Sequence, residues 1–351
     1  MRKLLLNLHL YIALIAGVFV LILGLTGSIM AFEPEIDHLF HRHLTYVTPQ
    51  AQARSLVDLG AIVTRAFPDE PIRGYGVSSS PDMSYQVATR KRMVYLNQYT
   101  GEILGSMTEA DKVAAFQGMV HQLHLRLLIR NKADTGGLIE SCAGLAIIFL
   151  SLSGLYLWWP LKRFKVAGGR RFWFDLHNVV GIISLMFLLI LATTGCVIGF
   201  DHTTTPLFFK MTGSSMPPPP PRKSAPHASD AKPISPDQAY EIARTALPGT
   251  APFAIDVPPP NGVYFIRSRY PEDLTPGGRS QVVIDQYSGQ VLYAMGSRSA
   301  PAGVRMVISN RAIHTGDIFG IPSKIVMSFA SLAIVLQLVT GLVLWWRRRY
   351  Q

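Results

Sequence analysis

Apolar residues are concentrated in four long runs, and polar residues return between them. The runs cover roughly Leu4–Phe32, Leu138–Trp159, Val179–Phe200 and Ile325–Trp346. Each is long enough for the ~20 apolar residues that a membrane-spanning helix needs. The first run is too long for the hydrophobic region of a signal peptide, and no small-x-small cleavage site follows it. The pattern therefore predicts four spanning helices, the first of them an uncleaved anchor.

Basic residues mark one end of every run. Arg2-Lys3 precedes the first, the segment from Lys162 to Arg171 joins the second to the third, and Arg347-Arg348-Arg349 follows the fourth. None of these segments contains an acidic residue. Because cytoplasmic loops carry the excess of Lys and Arg, both termini are predicted to be cytoplasmic and both long segments external.

These signals divide the chain into eight parts. The predicted parts are a first spanning helix in 1–32, an external domain with a short pre-membrane helix in 33–135, a second spanning helix in 138–159, a basic cytoplasmic loop in 160–175, a third spanning helix in 176–201, a Pro-rich linker and second external domain in 202–320, a fourth spanning helix in 323–346, and a cytoplasmic tail in 347–351.

The two external segments have matching patterns. Segments 49–107 and 234–296 each predict one helix, from Pro49 in the first, followed by short strands. Each contains a similar turn, Asn97-Gln-Tyr-Thr-Gly101 and Asp285-Gln-Tyr-Ser-Gly289, in which glycine suits the positive-φ position of a hairpin. We expect these ~60-residue domains, marginal on their own, to pack on each other or on the helices. The predicted fold is a mostly α membrane protein: four transmembrane helices from an internal duplication, with two small α+β domains.

Composition narrows the class further. Hydrophobic residues make up 49% of the 351 residues and charged residues only 16%, which excludes an ordinary soluble protein. The formal net charge of +11 is explained by basic residues facing anionic inner-leaflet lipid, so no nucleic-acid partner is needed. Both cysteines, Cys142 and Cys196, fall within apolar runs, so no external disulfide framework is predicted.

Two of the ten histidines repeat in register. His9 and His177 each open an apolar run, and the two runs align over 25 positions, placing Gly27 and Gly195 at the same spacing. An imidazole inside a spanning helix is costly unless it faces a partner or a bound group. A matched pair therefore suggests that the two imidazoles hold one object between them.

A second pair lies before the second and fourth runs. His124 and His314 correspond under the repeat, whereas His121, one helical turn before His124, has no counterpart. Two neutral imidazoles on facing helices suit bis-histidine haem ligation in a helix bundle. Zinc is disfavoured because no Cys, Asp or Glu completes a four-ligand set at either pair. His121 is left open as an alternative to His124, and an interfacial role without a cofactor is left open for all four.

The remaining polar candidates have simpler interpretations. Gln337 is expected to make a helix–helix hydrogen bond. Five histidines are interpreted as solvated, although His41-Arg-His43 could contact an anionic substrate; they are His38, His41, His43, His202 and His227. Basic residues of the external domains are either solvated surface or a cleft for an anion; they are Arg65, Arg73, Arg90, Lys91, Arg92, Arg267, Arg269 and Arg279.

Several motifs together resemble a known family. They are Leu8-His9-Leu10 with Gly27-Ser28 and Phe32, Gln122-Leu123-His124, Ser153-Gly-Leu-Tyr-Leu-Trp-Trp-Pro160, Asp175-Leu176-His177, Thr340-Gly-Leu-Val-Leu-Trp-Trp346, and the turns Tyr99-Thr-Gly101 and Tyr287-Ser-Gly289. Nearly the whole chain is similar to the PepSY-associated transmembrane helix family of bacterial inner-membrane proteins, which includes ferric-siderophore reductases.

The resemblance implies a function and a ligand set. It implies two haem b groups with axial ligands His9, His177, His124 and His314, a bacterial inner-membrane location and periplasmic PepSY-like domains. It also implies transfer of electrons to a ferric siderophore outside. Some relatives carry a fused flavin-reductase domain, whereas this chain ends five residues after Trp346. The electron donor is therefore expected to be a separate protein or a quinol, and no catalytic residue is assigned.

Two other classes of function stay open at this point. A non-enzymatic membrane protein could use the external domains to sense a ligand or to inhibit a protease, with no cofactor at the histidines. A siderophore permease is a further hypothesis, but four helices with little polar interior offer a weak translocation path. A haem absorption spectrum separates these classes from a reductase.

Overall fold

The computed structural model describes residues 1–228 and 230–350, with only the backbone described for 349 and 350. Contacts divide the chain into two compact units. A helical unit contains Met1–Glu33, Phe116–Gly213 and the chain from Met306 onward, and a sheet unit contains Pro34–Ala115 and Ser214–Arg305. Each unit is thus assembled from segments that lie far apart in sequence.

Eleven α-helices occur in the described part of the chain. They are α1 (Arg2–Met30), α2 (Glu33–Phe40), α3 (Arg42–Thr45), α4 (Leu56–Ala66), α5 (Lys112–Arg126), α6 (Thr135–Trp158), α7 (Phe172–Gly199), α8 (Asp201–Thr212), α9 (Pro236–Ala246), α10 (Ala302–Thr315) and α11 (Ile321–Tyr350). Short 3-10 turns cover Gly169–Arg171 and Asp317–Phe319.

Four helices of the helical unit are long and apolar enough to cross a membrane: α1, α6, α7 and α11. Each packs on two of the others, since α1 and α7 both contact α6 and α11. Small residues permit close approach, because a Cβ on Gly24 would lie 2.9 Å from the carbonyl oxygen of Ser331. The four predicted spanning helices are therefore confirmed, and they form one bundle.

The bundle interior combines apolar packing with hydrogen bonds between helices. Six buried side chains from all four helices form its core: Val20, Ala143, Ile147, Leu188, Ala192 and Ile334. The Gln337 amide donates to the carbonyl of His177 at 2.9 Å, so the helix–helix bond expected for Gln337 is present. Cys142 and Cys196 are both free thiols.

The sheet unit contains eight antiparallel strands within the residues that the structure describes. In chain order these are β1 (Ile72–Gly76), β2 (Tyr85–Thr89), β3 (Arg92–Leu96), β4 (Ile103–Thr108), β5 (Ala251–Asp256), β6 (Val263–Arg269), β7 (Ser280–Asp285) and β8 (Val291–Met295). They form one sheet in the order β4-β3-β2-β1-β5-β6-β7-β8.

Segments 49–107 and 234–296 meet at the centre of this sheet. Strand β1 pairs with β5, with Tyr75 opposite Ile255. Helices α4 and α9 contribute Leu59, Val63 and Ala243 to a single core shared with strands from both segments. The two ~60-residue pieces thus pack on each other, as marginal domains were expected to do.

Local signals explain the ends of these elements. The Ser55 hydroxyl accepts a hydrogen bond from Asp58 N, so α4 begins at Leu56 rather than near Pro49 as predicted. The stretch before Ser55 instead bonds to neighbouring loops, with Arg54 N donating to Gln98 O. Gly101 and Gly289 adopt the predicted positive φ, at +82° and +72°.

Candidate functional site

The helical unit carries the four predicted histidines at two levels. We call His9, His177 and the hydroxyl residues beside them the first level, and His124, His314 and their hydroxyl residues the second level. Along α1, His9 precedes Thr26 of the second level by 17 residues, and along α7, His177 precedes Thr194 by the same number. At 1.5 Å rise per residue the levels are about 25 Å apart.

At the second level, two imidazoles face one another. The ring centroids of His124 on α5 and His314 on α10 are 6.4 Å apart, with an angle of 46° between the planes. Both rings are only partly buried, so each keeps accessible surface. Burial nevertheless lowers the pKa of His124 to about 3 and that of His314 to about 4, so both are neutral at physiological pH.

At the first level, His9 and His177 line the same apolar cavity. The empty space is about 880 Å³, which includes the solvent space at its open mouth. Glycines 17, 154 and 181 form part of its wall, together with Leu188 and Gln337. Helices α1 and α7 thus bring His9 and His177, which align in the sequence, to the same cavity.

Each histidine is held by a hydroxyl through its Nδ1 atom. The Nδ1–Oγ distances are 2.8 Å for His9 with Ser153, 2.8 Å for His124 with Thr26, 2.8 Å for His177 with Thr340, and 3.0 Å for His314 with Thr194. Every such contact joins two elements of the same half of the chain. The histidine pairs, in contrast, are formed between the halves.

A glycine follows each of the four hydroxyl residues, and it lies against the same imidazole. A Cβ on Gly195 would be 3.0 Å from Cε1 of His314, and one on Gly27 would be 3.3 Å from Cε1 of His124. At the first level the corresponding distances, from Gly154 to His9 and from Gly341 to His177, are both 3.5 Å. A larger residue at Gly195 would displace the ring.

The donor set fits a haem better than a bare metal ion. Two imidazoles per level match bis-histidine ligation. Rings on either side of one ion, each nitrogen about 2 Å from it, have centroids about 6 Å apart, close to the distance between His124 and His314. Among the residues that the structure describes, no group of three or more His, Cys, Asp or Glu is arranged to hold a metal, which disfavours zinc.

The remaining histidines are placed differently. His121 lies 3.6 Å from the Glu33 carboxylate and is partly exposed, whereas His124 faces His314, so the geometry favours His124. His43, His202 and His227 are exposed, as expected for solvated residues. The interpretation of His41 as solvated was wrong: it is buried, and its two nitrogens lie 2.8 Å from Asp37 and 3.2 Å from Asp111.

No role was predicted from the sequence for two acidic residues of the helical unit, of which Asp175 appeared only as part of a motif and Glu140 not at all. Both carboxylate oxygens of Glu140 on α6 are buried and have no hydrogen-bond partner in the described chain. Asp175, fully buried at the start of α7, accepts from Arg163 and from Ala167 N, both at 3.2 Å, and so holds the basic loop. The signal available in the sequence was an isolated acid inside or beside an apolar run.

Several basic residues of the sheet unit make contacts within the protein. Arg92 forms an ion pair with Glu70 at 2.9 Å, and Arg267 forms one with Asp256 at 3.2 Å. Arg269 donates to the Ser79 hydroxyl. Part of the predicted basic set is therefore engaged in structure.

Four apolar helices, two of which carry a histidine that lines a shared cavity, are joined in sequence to an antiparallel sheet unit. Together they define a multi-pass membrane protein of mixed helix and sheet. A family model described as the PepSY-associated TM region matches residues 6–348, and the chain belongs to this family. The resemblance drawn from the sequence motifs is thus confirmed. No curated protein matches the chain.

Proposed function

We propose that this protein is a di-haem electron-transfer protein of the bacterial inner membrane that reduces ferric siderophores in the periplasm. One observation carries the proposal: two histidine pairs, with Nδ1 of all four rings held by hydroxyls of the spanning helices, occur at levels about 25 Å apart along α1 and α7. The hydrocarbon core of a bilayer is about 30 Å thick. Each pair would therefore lie near one membrane face.

The chain's own residues would hold and surround the cofactors. His124 and His314 would ligate one haem b, and His9 and His177 would ligate the other. Bound haem supplies a carrier for one electron. The apolar walls of the first-level cavity would exclude water and favour a flat hydrophobic ring. Glycines 27, 154, 195 and 341 would leave the imidazoles room to keep their orientation.

The orientation of the chain follows from its basic residues. Arg2, the Lys162–Arg171 loop and Arg347-Arg348 lie at the ends of the helices nearest the first level. By the positive-inside rule we assign this end to the cytoplasm and the second level to the periplasmic side, with both termini inside. We also attribute the matching halves, each with two spanning helices and four strands, to an internal duplication.

The chemistry of the substrate supports reduction as the reaction. Fe³⁺ is a hard ion that hydroxamate, catecholate or carboxylate oxygens bind strongly, and the softer Fe²⁺ is bound more weakly. One electron from a donor converts the chelated Fe³⁺ to Fe²⁺, which the siderophore then releases. The donor would be a separate cytoplasmic protein or a quinol.

A spectrum and a turnover assay test the proposal. Purified protein should show a Soret band that shifts on dithionite reduction and is reoxidised by ferric siderophore, and pyridine haemochrome analysis should give two haem b per chain. A colourless protein, after expression with added haem, would contradict the proposal and favour a sensor or protease-inhibitor role. Uptake of intact siderophore without reduction would favour a permease.

A further inference from the structure

The hydroxyl beside each histidine has a fixed hydrogen-bonding role. Each hydroxyl lies on a helix and also contacts the backbone carbonyl four residues earlier. These distances are 2.5 Å from Thr26 to Ile22, 2.7 Å from Ser153 to Phe149, 2.7 Å from Thr194 to Ile190 and 2.6 Å from Thr340 to Leu336. A hydroxyl has one proton, and a carbonyl can only accept it.

Where the hydroxyl gives its proton to that carbonyl, the imidazole is the donor in the second contact. With its proton given to the carbonyl, the hydroxyl oxygen offers only lone pairs to the histidine, so Nδ1 carries the hydrogen. A neutral imidazole protonated at Nδ1 has an unprotonated Nε2. The Nε2 atoms of the four histidines have no hydrogen-bond partner within the part of the chain that the structure describes.

His314 provides an independent check on this assignment. Its Nδ1 lies 3.1 Å from the carbonyl oxygen of Leu191 as well as 3.0 Å from the Thr194 hydroxyl. A carbonyl cannot donate, so Nδ1 of His314 must carry the proton whatever the hydroxyl does. His124 faces the same site but has only the Thr26 hydroxyl as acceptor.

We propose that Thr26, Ser153, Thr194 and Thr340 are positioning residues that fix the tautomer of the four histidines and so direct four Nε2 lone pairs at the two cofactor sites. The proposal rests on the function proposed above and goes further, because it assigns the ligating atom and a hydroxyl to each ligand. An acceptor at Nδ1 also makes the imidazole a more basic ligand.

Thr26→Val and Thr26→Ser form a matched pair for the test. Valine keeps the shape of threonine without the hydroxyl, and serine keeps the hydroxyl. Loss of such an outer contact typically weakens metal affinity 10–100-fold. We expect Thr26→Val full-length protein to retain second-level haem about 10–100-fold less well, and any haem that is retained to have a more positive midpoint potential. Thr26→Ser should behave like the wild type.

Thr194→Val is the internal comparison at the same site. Because the Leu191 carbonyl still accepts from His314, its effect should be clearly smaller than that of Thr26→Val. The proposal is overturned if Thr26→Val keeps wild-type affinity and potential. The proposal is also overturned if Thr26→Ser loses as much haem affinity as Thr26→Val. In that case the packing of the threonine side chain, and not its hydroxyl, would account for the loss.

A readout without haem separates this proposal from the proposed function. In haem-free protein labelled with nitrogen-15 histidine, the two ring nitrogens report which one is protonated. His124, recognised by the signal lost in His124→Gln, should be protonated at Nδ1 in the wild type and become a mixture of tautomers in Thr26→Val. Protonation at Nε2 in the wild type would overturn the assignment, even if two haems bind. If no haem binds, the proposed function fails and this measurement alone decides the tautomer.

Discussion

At the residue scale, the proposed function makes the four histidines non-interchangeable, because each proposed haem would depend on the two rings of its own level. His314→Ala should remove second-level haem and leave the first, lowering the haem content from two to one per chain, since alanine offers no ligand in place of the imidazole. His177→Ala should do the reverse. For both variants, the haem content is measured as the pyridine haemochrome, and the Soret band on stepwise reduction shows which haem is lost. Unchanged haem content in either variant would show that its histidine is not a ligand.

Glu140 gives a second prediction at this scale. Leaving a buried polar group without a partner costs about 1–3 kcal/mol, and both oxygens of this carboxyl are in that state. Glu140→Leu should therefore raise the thermal unfolding temperature of the detergent-solubilised protein. Glu140→Gln, which keeps a polar head at similar volume, should stay nearer the wild type. A lower unfolding temperature for the leucine variant would mean that the carboxyl has a partner.

At the element scale, His41 links the segment before β1 to the start of α5. The Asp111 side chain accepts from Ala114 N at 2.8 Å, capping α5, and its other oxygen lies 3.2 Å from His41 Nε2. Asp37 faces the opposite ring nitrogen. Burial lowers the pKa of His41, but the hydrogen bonds and charges of Asp37 and Asp111 outweigh burial, so the net shift is upward.

The raised pKa of His41 in the folded state makes the protein more stable at low pH than at high pH. The unfolded chain releases the proton near pH 6.5, so the ionic contribution is fully present below that pH and is lost as pH rises through the higher folded value. The wild type should exceed His41→Gln in unfolding temperature at pH 6, and the gap should narrow towards pH 9. A gap that widens with pH would contradict a protonated His41.

At the scale of the whole molecule, the two levels act in series in the proposed function. His9→Ala should abolish reduction of external ferric siderophore by an internal donor in proteoliposomes with the sheet unit outward. It should spare reoxidation of dithionite-reduced second-level haem by the same chelate, because His124 and His314 are untouched. Wild-type donor-driven rates in this variant would contradict the serial arrangement.

The linear sequence determined much of this architecture. Length and hydropathy fixed four spanning helices, because hydrocarbon admits only backbone whose hydrogen bonds are satisfied internally. Alternating patterns and the turns at Gly101 and Gly289 located the strands, since their φ values suit glycine. The register of His9 with His177 singled out two ligand candidates. These signals are local or periodic, so they can be recognised in the sequence before the tertiary structure is known.

Other features were decided only by tertiary structure. Pairing of β1 with β5 joins segments 180 residues apart, and nothing local selects one edge over another. The start of α4 shifted to Leu56 because a cap and loop contacts outweighed the helix-compatible stretch from Pro49. His41 is buried where the carboxylates of Asp37, one turn earlier, and of Asp111, 70 residues later, converge on it, and the second contact depends on the fold. Above all, the Thr-Gly and Ser-Gly pairs were visible in the sequence, but which histidine each pair contacts depends on the packing of neighbouring helices. That packing brings Thr26 to His124 and Ser153 to His9.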